Sequence, residues 1–141
     1  MKIYITSNNY SSPNQGSYQK KIMGQKHILG EKGETIAKDY LAEKNYVILE
    51  KNWKYLKAEI DLIAQKDDVI IFVEVKTRSS INFGDPESFV SEKQQKRIVL
   101  AANEYIQKND IQSEARFDII SIIIGNKGGI KHIEDAFYPT V

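Results

Sequence analysis

Residues 59–78 read EIDLIAQKDDVIIFVEVKTR, and this stretch decides the fold. It divides into two strands joined by a polar turn, the first from Glu59 to Gln65 and the second from Val69 to about Thr77. Val69, Ile70, Ile71, Phe72, Val73 and Val75 form a nearly continuous apolar run, the pattern of a strand buried on both faces. Glu74 and Lys76 interrupt it where a plain core strand would carry Val or Ile. Alternation puts Ile70, Phe72, Glu74, Lys76 and Arg78 on one face. With Asp67-Asp68 as a two-residue loop, Lys66 pairs with Val69, Asp61 falls opposite Glu74, and Glu59 falls opposite Lys76. Opposed side chains sit about 5 Å apart at Cβ, and two carboxylates that close need a proton or a cation between them. Mg²⁺ suits such a pair, because one or two carboxylates with water and phosphate oxygens are its usual ligands. Lys76, on the same face, would orient or activate a water. Asp-Asp is not a favoured hairpin pair, and a slip of one residue would undo the alignment.

The chain has 141 residues, enough for one domain with a real core. Its 41% hydrophobic and 28% charged residues are ordinary for a globular protein. The net charge of +1 advertises no general affinity for nucleic acid, so any basic surface must be local. Cysteine is absent, which excludes disulfides, thiolate zinc sites and a cysteine nucleophile and fits a reducing cytoplasm. His27 and His132 are the only histidines, a poor basis for a Ser-His-Asp triad. No apolar run reaches membrane-spanning length, and no membrane association is expected.

Residues 1–25 differ from the rest. After Ile3, Tyr4 and Ile5 comes SNNYSSPNQGSYQKK, whose composition predicts a disordered tail ahead of a single domain over 26–141. No signal-peptide apolar segment is present. Met23 stands just before the domain and is the expected true start. Mass spectrometry of the native protein checks this: the first peptide should begin near Met23, and one beginning at Met1 would contradict it.

From about His27 to Lys44, Leu29, Gly33, Ile36, Ala37, Tyr40 and Leu41 recur at helical spacing, with Asn45 as a left-handed cap. On spacing alone Glu34 reads as a boundary residue of a solvated first turn, where it favours the helix dipole. Tyr46 to Trp53 is a strand, and Lys54 to Ala58 a polar connection into the central hairpin. Residues 77–89 form a loop with Gly84, Asp85 and Pro86. Ser91 then opens a helix, with Gln94 three residues on completing a capping box. Ile98, Ala101, Ala102, Tyr105 and Ile106 are its apolar face. Lys93, Lys96 and Arg97 in its first turns are either solvated surface or a patch that contacts phosphates without base specificity. Arg116 to Ile124 is another buried strand, and Ile130 to Ile133 a short last one. The order α-β-β-β-α-β-β gives an α/β domain with a mixed sheet flanked by helices.

In that order the chain carries Gly33-Glu34, Asn52 after Tyr46-Val47-Ile48-Leu49, Glu59-Ile60-Asp61, and Phe72-Val73-Glu74-Val75-Lys76-Thr77-Arg78. Lys93, Arg97, Ala101, Arg116-Phe117-Asp118 and Ala136-Phe137 follow. Over roughly residues 28–138 this resembles the YraN-like family. That family is similar to the restriction-endonuclease-like superfamily with its PD-(D/E)XK signature, and within it to archaeal Holliday-junction resolvases. The resemblance implies that fold. It also implies that Asp61 and Glu74 are the acidic metal ligands, that Lys76 is the motif lysine, and that Glu34 joins the site from the helix. The proline of the signature is missing, with Ile60 standing before Asp61. Ala58 stands where family members carry glycine, and would be strained if the backbone there has positive φ.

The function expected is a metal-dependent DNA endonuclease, resolvase-like and hydrolysing phosphodiester bonds. Asp61, Glu74 and Glu34 would hold Mg²⁺ or Mn²⁺, with the Val75 carbonyl as a further ligand. Lys76 would serve the water or the pentavalent oxygens, and Arg78, Lys93 and Arg97 would hold the nucleic-acid backbone. The partner would be DNA, branched forms included, with RNA an open alternative, and a resolvase would act as a homodimer. The second reading is a non-catalytic nucleic-acid-binding module of the same fold; a third is a scaffold with a vestigial site.

Overall fold

The apolar run at Val69 lies at the centre of a sheet, and everything else is arranged about it. In the computed structural model, which describes residues 15–79, 90–125 and 128–139, the elements are α1 (Gln15–Glu43), β1 (Val47–Tyr55), β2 (Ala58–Lys66), β3 (Val69–Arg78), α2 (Glu92–Lys108), β4 (Glu114–Ile123) and β5 (Gly129–Ile133). The five strands lie in the order β1-β2-β3-β4-β5. β3 runs parallel to β4 and every other neighbouring pair is antiparallel. This is the mixed sheet with flanking helices that the residue pattern predicts.

Local chemistry accounts for the boundaries. Asn45 takes φ 66° at the end of α1. The Tyr46 N–H reaches back to the Leu41 carbonyl at 3.0 Å and the Asn45 N–H to that of Ala42 at 3.1 Å, closing a Schellman cap. Asp67 takes φ 53° in the β2–β3 turn, a conformation that aspartate tolerates better than most residues. The Ser91 side chain caps α2 by accepting the Gln94 N–H. α1 starts at Gln15, earlier than its apolar periodicity, so residues expected in the polar tail are helical from there. Extending an existing helix adds a hydrogen bond for each residue fixed and needs no new nucleus. Residues 1–14 and most of the 77–89 loop lie outside the described residues.

Two cores cover the sheet. On one face Ile70 and Phe72 of β3 pack with Ile98, Ala101, Ala102 and Tyr105 of α2. On the other, Ile71 and Val73 pack with Ala37 and Leu41 of α1. β2 keeps strict alternation only in part: Ala58 and Ile60 face the α2 side, yet so does Ile63, while Leu62 and Ala64 face α1. The face therefore switches around Asp61.

On the α1 side Asp118 is fully buried and saturated with donors. Arg116 holds it in a bidentate pair at 2.8 Å to each oxygen, His132 Nε2 lies at 2.7 Å, and the Asp135 N–H donates at 3.0 Å. Arg116 also donates to the Tyr46 hydroxyl at 3.1 Å. Burial pushes the Asp118 carboxyl up, but the bonds from His132, Arg116 and Asp135 outweigh it and leave it below the ordinary range. Its contribution to stability is present above the ordinary carboxylate range and is lost as pH falls through its folded value. Asp118→Ala is expected to cost about 3 kcal/mol, because it removes the buried acceptor of Arg116, His132 and the Asp135 N–H and leaves Arg116 only the exposed Glu134 at 3.7 Å and the Tyr46 hydroxyl. Urea unfolding at neutral pH measures this, and the gap to wild type should narrow in acid.

Candidate metal and phosphate site

The register predicted from the Asp67-Asp68 turn is the one observed, with Lys66 opposite Val69 and Leu62 opposite Val73. The ladder ends there, one pair before Asp61 and Glu74 would meet across it. From Ile60 back to Ala58, β2 stays with β1 alone. In the gap the Asp61 carboxylate accepts the Val75 N–H at 2.7 Å, taking the place of a main-chain acceptor. Asp61 and Glu74 do converge, both lining one cleft, but through this inserted side chain and not as a cross-strand pair.

Carboxylate oxygens of Glu34, Glu59 and Asp61 all lie within 4.8 Å of one another. Glu34 arrives from α1 because the preceding residue is glycine. A Cβ on Gly33 would stand 1.8 Å from the Thr77 hydroxyl oxygen and 2.9 Å from its Cβ, so only glycine lets the helix lie this close to β3. Glu74 is nearly buried, 7% exposed. Lys76 Nζ lies 3.2 Å from Glu74 Oε1, and Gln94 Nε2 donates to the same oxygen at 2.7 Å. Lys76 also donates to Gln94 Oε1 at 3.3 Å, closing a triangle. Lys76 is thus bound to Glu74 and Gln94, and not to Glu59 as the extended ladder would have it.

Two residues join the predicted set. Glu59 lies at the exposed start of β2, where a glutamate reads as solvated surface; only its register next to Asp61 signalled more. Gln94 supplies the N–H that Ser91 caps, but its side chain goes to Glu74 and Lys76 and does not complete a capping box. Val75 enters through its N–H. Ala58 is not among the residues with positive φ; that conformation falls on Leu56, φ 53°.

Lys93 and Arg97 line the cleft, with Lys57 on its opposite lip, around a volume of about 450 Å³. Arg78 lies outside its wall, with one guanidinium nitrogen on the Thr77 carbonyl at 2.9 Å. Burial and then the charge of Glu74 hold the Asp61 carboxyl well above its ordinary range; Glu34 and Glu59 add to this, and only the Val75 N–H opposes it. Glu74 is raised too, by burial, with Lys76 the largest opposing influence. The donors are all hard carboxylate oxygen, and Lys54 stands 3.7 Å from Glu59 on their exposed side. That donor set fits Mg²⁺ or Mn²⁺.

The profile of a family described as "Uncharacterised protein family UPF0102" matches residues 33–122. The chain belongs to that family. A UPF0102 protein of Flavobacterium psychrophilum is 49% identical over 117 residues, covering 82% of this chain and 98% of its own. One from Christiangramia forsetii is 48% identical over 118 residues, with the same coverage. One from Bacteroides fragilis is 43% identical over 119 residues, covering 83% of this chain and 98% of its own. The YraN-like resemblance and the restriction-endonuclease-like fold are thereby established for the UPF0102 chain. No helix among the described residues is long and apolar enough to cross a membrane.

A carboxyl raised by folding favours the folded state in acid. That advantage is lost as pH rises from about 4, the ordinary aspartate value, through the folded value. Asp61→Asn keeps an acceptor for Val75 and removes one charge. Without added metal it is expected to raise the Tm at pH 7–8 by about 3–5 °C, the effect of on the order of 1 kcal/mol in a chain of this size. The difference should vanish near pH 4. Millimolar Mg²⁺ should raise the wild-type Tm and leave the variant's unchanged. Differential scanning fluorimetry across pH checks both.

Proposed function

We propose that this UPF0102 protein is a metal-dependent nuclease that hydrolyses phosphodiester bonds in DNA. The observation that carries this reading is the Asp61 carboxylate inserted between β2 and β3. Its oxygens lie within 4.8 Å of those of Glu34 and Glu59, and with Glu59 and Glu74 it lines a cleft bordered by Lys57, Lys93 and Arg97, while Glu34 and Lys76, 3.2 Å from Glu74, stand behind that lining. A structural salt-bridge network explains Glu74 with Lys76 and Glu59 with Lys54, but among the described residues it offers no ion-pair partner to Asp61 or Glu34, which are gathered with Glu59.

Asp61, Glu34 and Glu59 would hold Mg²⁺ or Mn²⁺, with Glu74 beside them. When bound there, the ion supplies an acidified water and positive charge against the phosphate oxygens. The remaining work falls to the chain's own groups. Lys76, fixed by Glu74 and Gln94, places a cation where oxygens gain charge during displacement. Lys93 and Arg97 at the start of α2, with Lys57 across the cleft, grip the backbone on either side of the bond to be cut. These contacts carry no base specificity, so the enzyme should select its DNA by shape. Cutting two strands symmetrically would take a second copy of the chain.

Cleavage of labelled four-way junction, flap, single-stranded and duplex DNA, with Mg²⁺ or Mn²⁺, tests this. Asp61→Ala and Glu74→Ala are each expected to lower the rate by at least about 10², with circular dichroism unchanged. Failure of the wild type to cut any form, with binding retained in EDTA, would instead assign a non-catalytic binding module.

A further inference from the structure

The turn between β1 and β2 is built against its own stability. Tyr55 pairs with Ala58, leaving Leu56 and Lys57 as a two-residue loop. Leu56 has φ 53°. Glycine and asparagine take that conformation in two-residue hairpins, and a branched side chain there is strained. Nothing covers the residue in return: Leu56 is 79% exposed, more than any other large hydrophobic among the described residues. Neither backbone preference nor burial accounts for leucine at this position.

The mount behind it is rigid. Tyr55 stacks on Trp53 with ring centroids 6.3 Å apart, and Trp53 meets the edge of Tyr105 on α2 at 5.3 Å. The loop also leads straight into the site, since Lys57, Ala58 and Glu59 line the same cleft as Asp61. The flanking side chains, Lys54 and Lys57, are exposed cations, although Lys54 is also 3.7 Å from Glu59. An exposed apolar point between lysines, fixed beside a phosphate cleft, has the chemistry of a side chain that enters a base stack while its neighbours hold the backbone.

We propose that Leu56 is a wedge that inserts where base stacking is interrupted, and so directs the cleft to branched or strand-separated DNA in preference to continuous duplex. This deepens the nuclease reading and rests on DNA being the ligand. At ~3.4 Å per residue the strand from Ala58 to Asp61 spans about 10 Å, or about three base steps along one nucleic-acid strand, and the two-residue loop carries Leu56 beyond the strand's end. The wedge therefore acts a fixed distance from the phosphate in the cleft, and it sets where along the strand the cut falls.

The test uses the full chain in EDTA, so that binding is read without cleavage. The probes are a three-way junction carrying 2-aminopurine at the branch and a linear duplex of the same sequence. Wild type should bind the junction more tightly and raise its fluorescence by unstacking the probe. Leu56→Asn should keep or raise the Tm, because asparagine suits the turn. It should also lose the fluorescence rise and reduce the junction-over-duplex preference by about tenfold or more. Unchanged preference and fluorescence in Leu56→Asn would overturn the wedge and leave the nuclease reading standing. Wild type that binds neither probe would overturn DNA as the ligand, and the wedge with it.

Discussion

The hydrogen bond from the Val75 N–H to the Asp61 carboxylate holds the candidate site together. A strand pair would ordinarily continue past Leu62 and Val73 by main-chain bonds. Here a side chain supplies the acceptor, so β2 can leave β3 without stranding a buried donor. The departure frees room between the strands and turns β2 by one residue, so that Ile60 and Ile63 reach the same core. Glu34 enters from the α1 side and Gln94 from the α2 side. Neither could meet a continuous ladder at this point, because a paired sheet separates its two faces.

Much of this arrangement could be read from residue order. The central hairpin register follows from one turn and the period of two, and the observed pairing agrees residue for residue as far as the ladder runs. Asn45 and Ser91 declare their caps by type. Asp61, Glu74 and Lys76 stood out because charges interrupt an apolar strand, and Glu34 because of the motif that carries it. Other features are three-dimensional and leave little trace in a linear pattern. Alternation cannot tell where a strand pair ends, so Asp61 and Glu74 were placed face to face when they meet by insertion. Glu59 and Gln94 have plausible local duties, as a solvated strand start and a helix-capping partner, and those duties conceal what their side chains touch. The backward extension of α1 to Gln15 lies in polar sequence whose composition suggests a tail.

Asp118 and Asp61, one fully buried and one partly so, show how differently one residue type can be used in the sheet. Asp118 is surrounded by donors and a bidentate arginine, and its charge is welcome; it fastens β4 to β5, to the turn at Asp135 and, through Arg116, to Tyr46. Asp61 has one donor and three acidic neighbours, and its charge is resisted. The first environment is complete within the chain. The second sets acidic groups against one another, the kind of perturbed environment that marks a candidate functional carboxylate and not a purely structural one.

The sheet has two outer edges, and neither invites another strand. Along β1 the pairing is displaced between Ile48 and Glu50, Asn52 takes φ 51°, and Lys51 and Lys54 are exposed. β5 is only five residues long. Kinks, lysines and shortness are the ordinary means by which proteins prevent their sheets from joining end to end. Copies of this chain are therefore discouraged from merging into a continuous sheet or fibre. Any contact between copies would then fall to helices and loops, away from the sheet that positions the cleft.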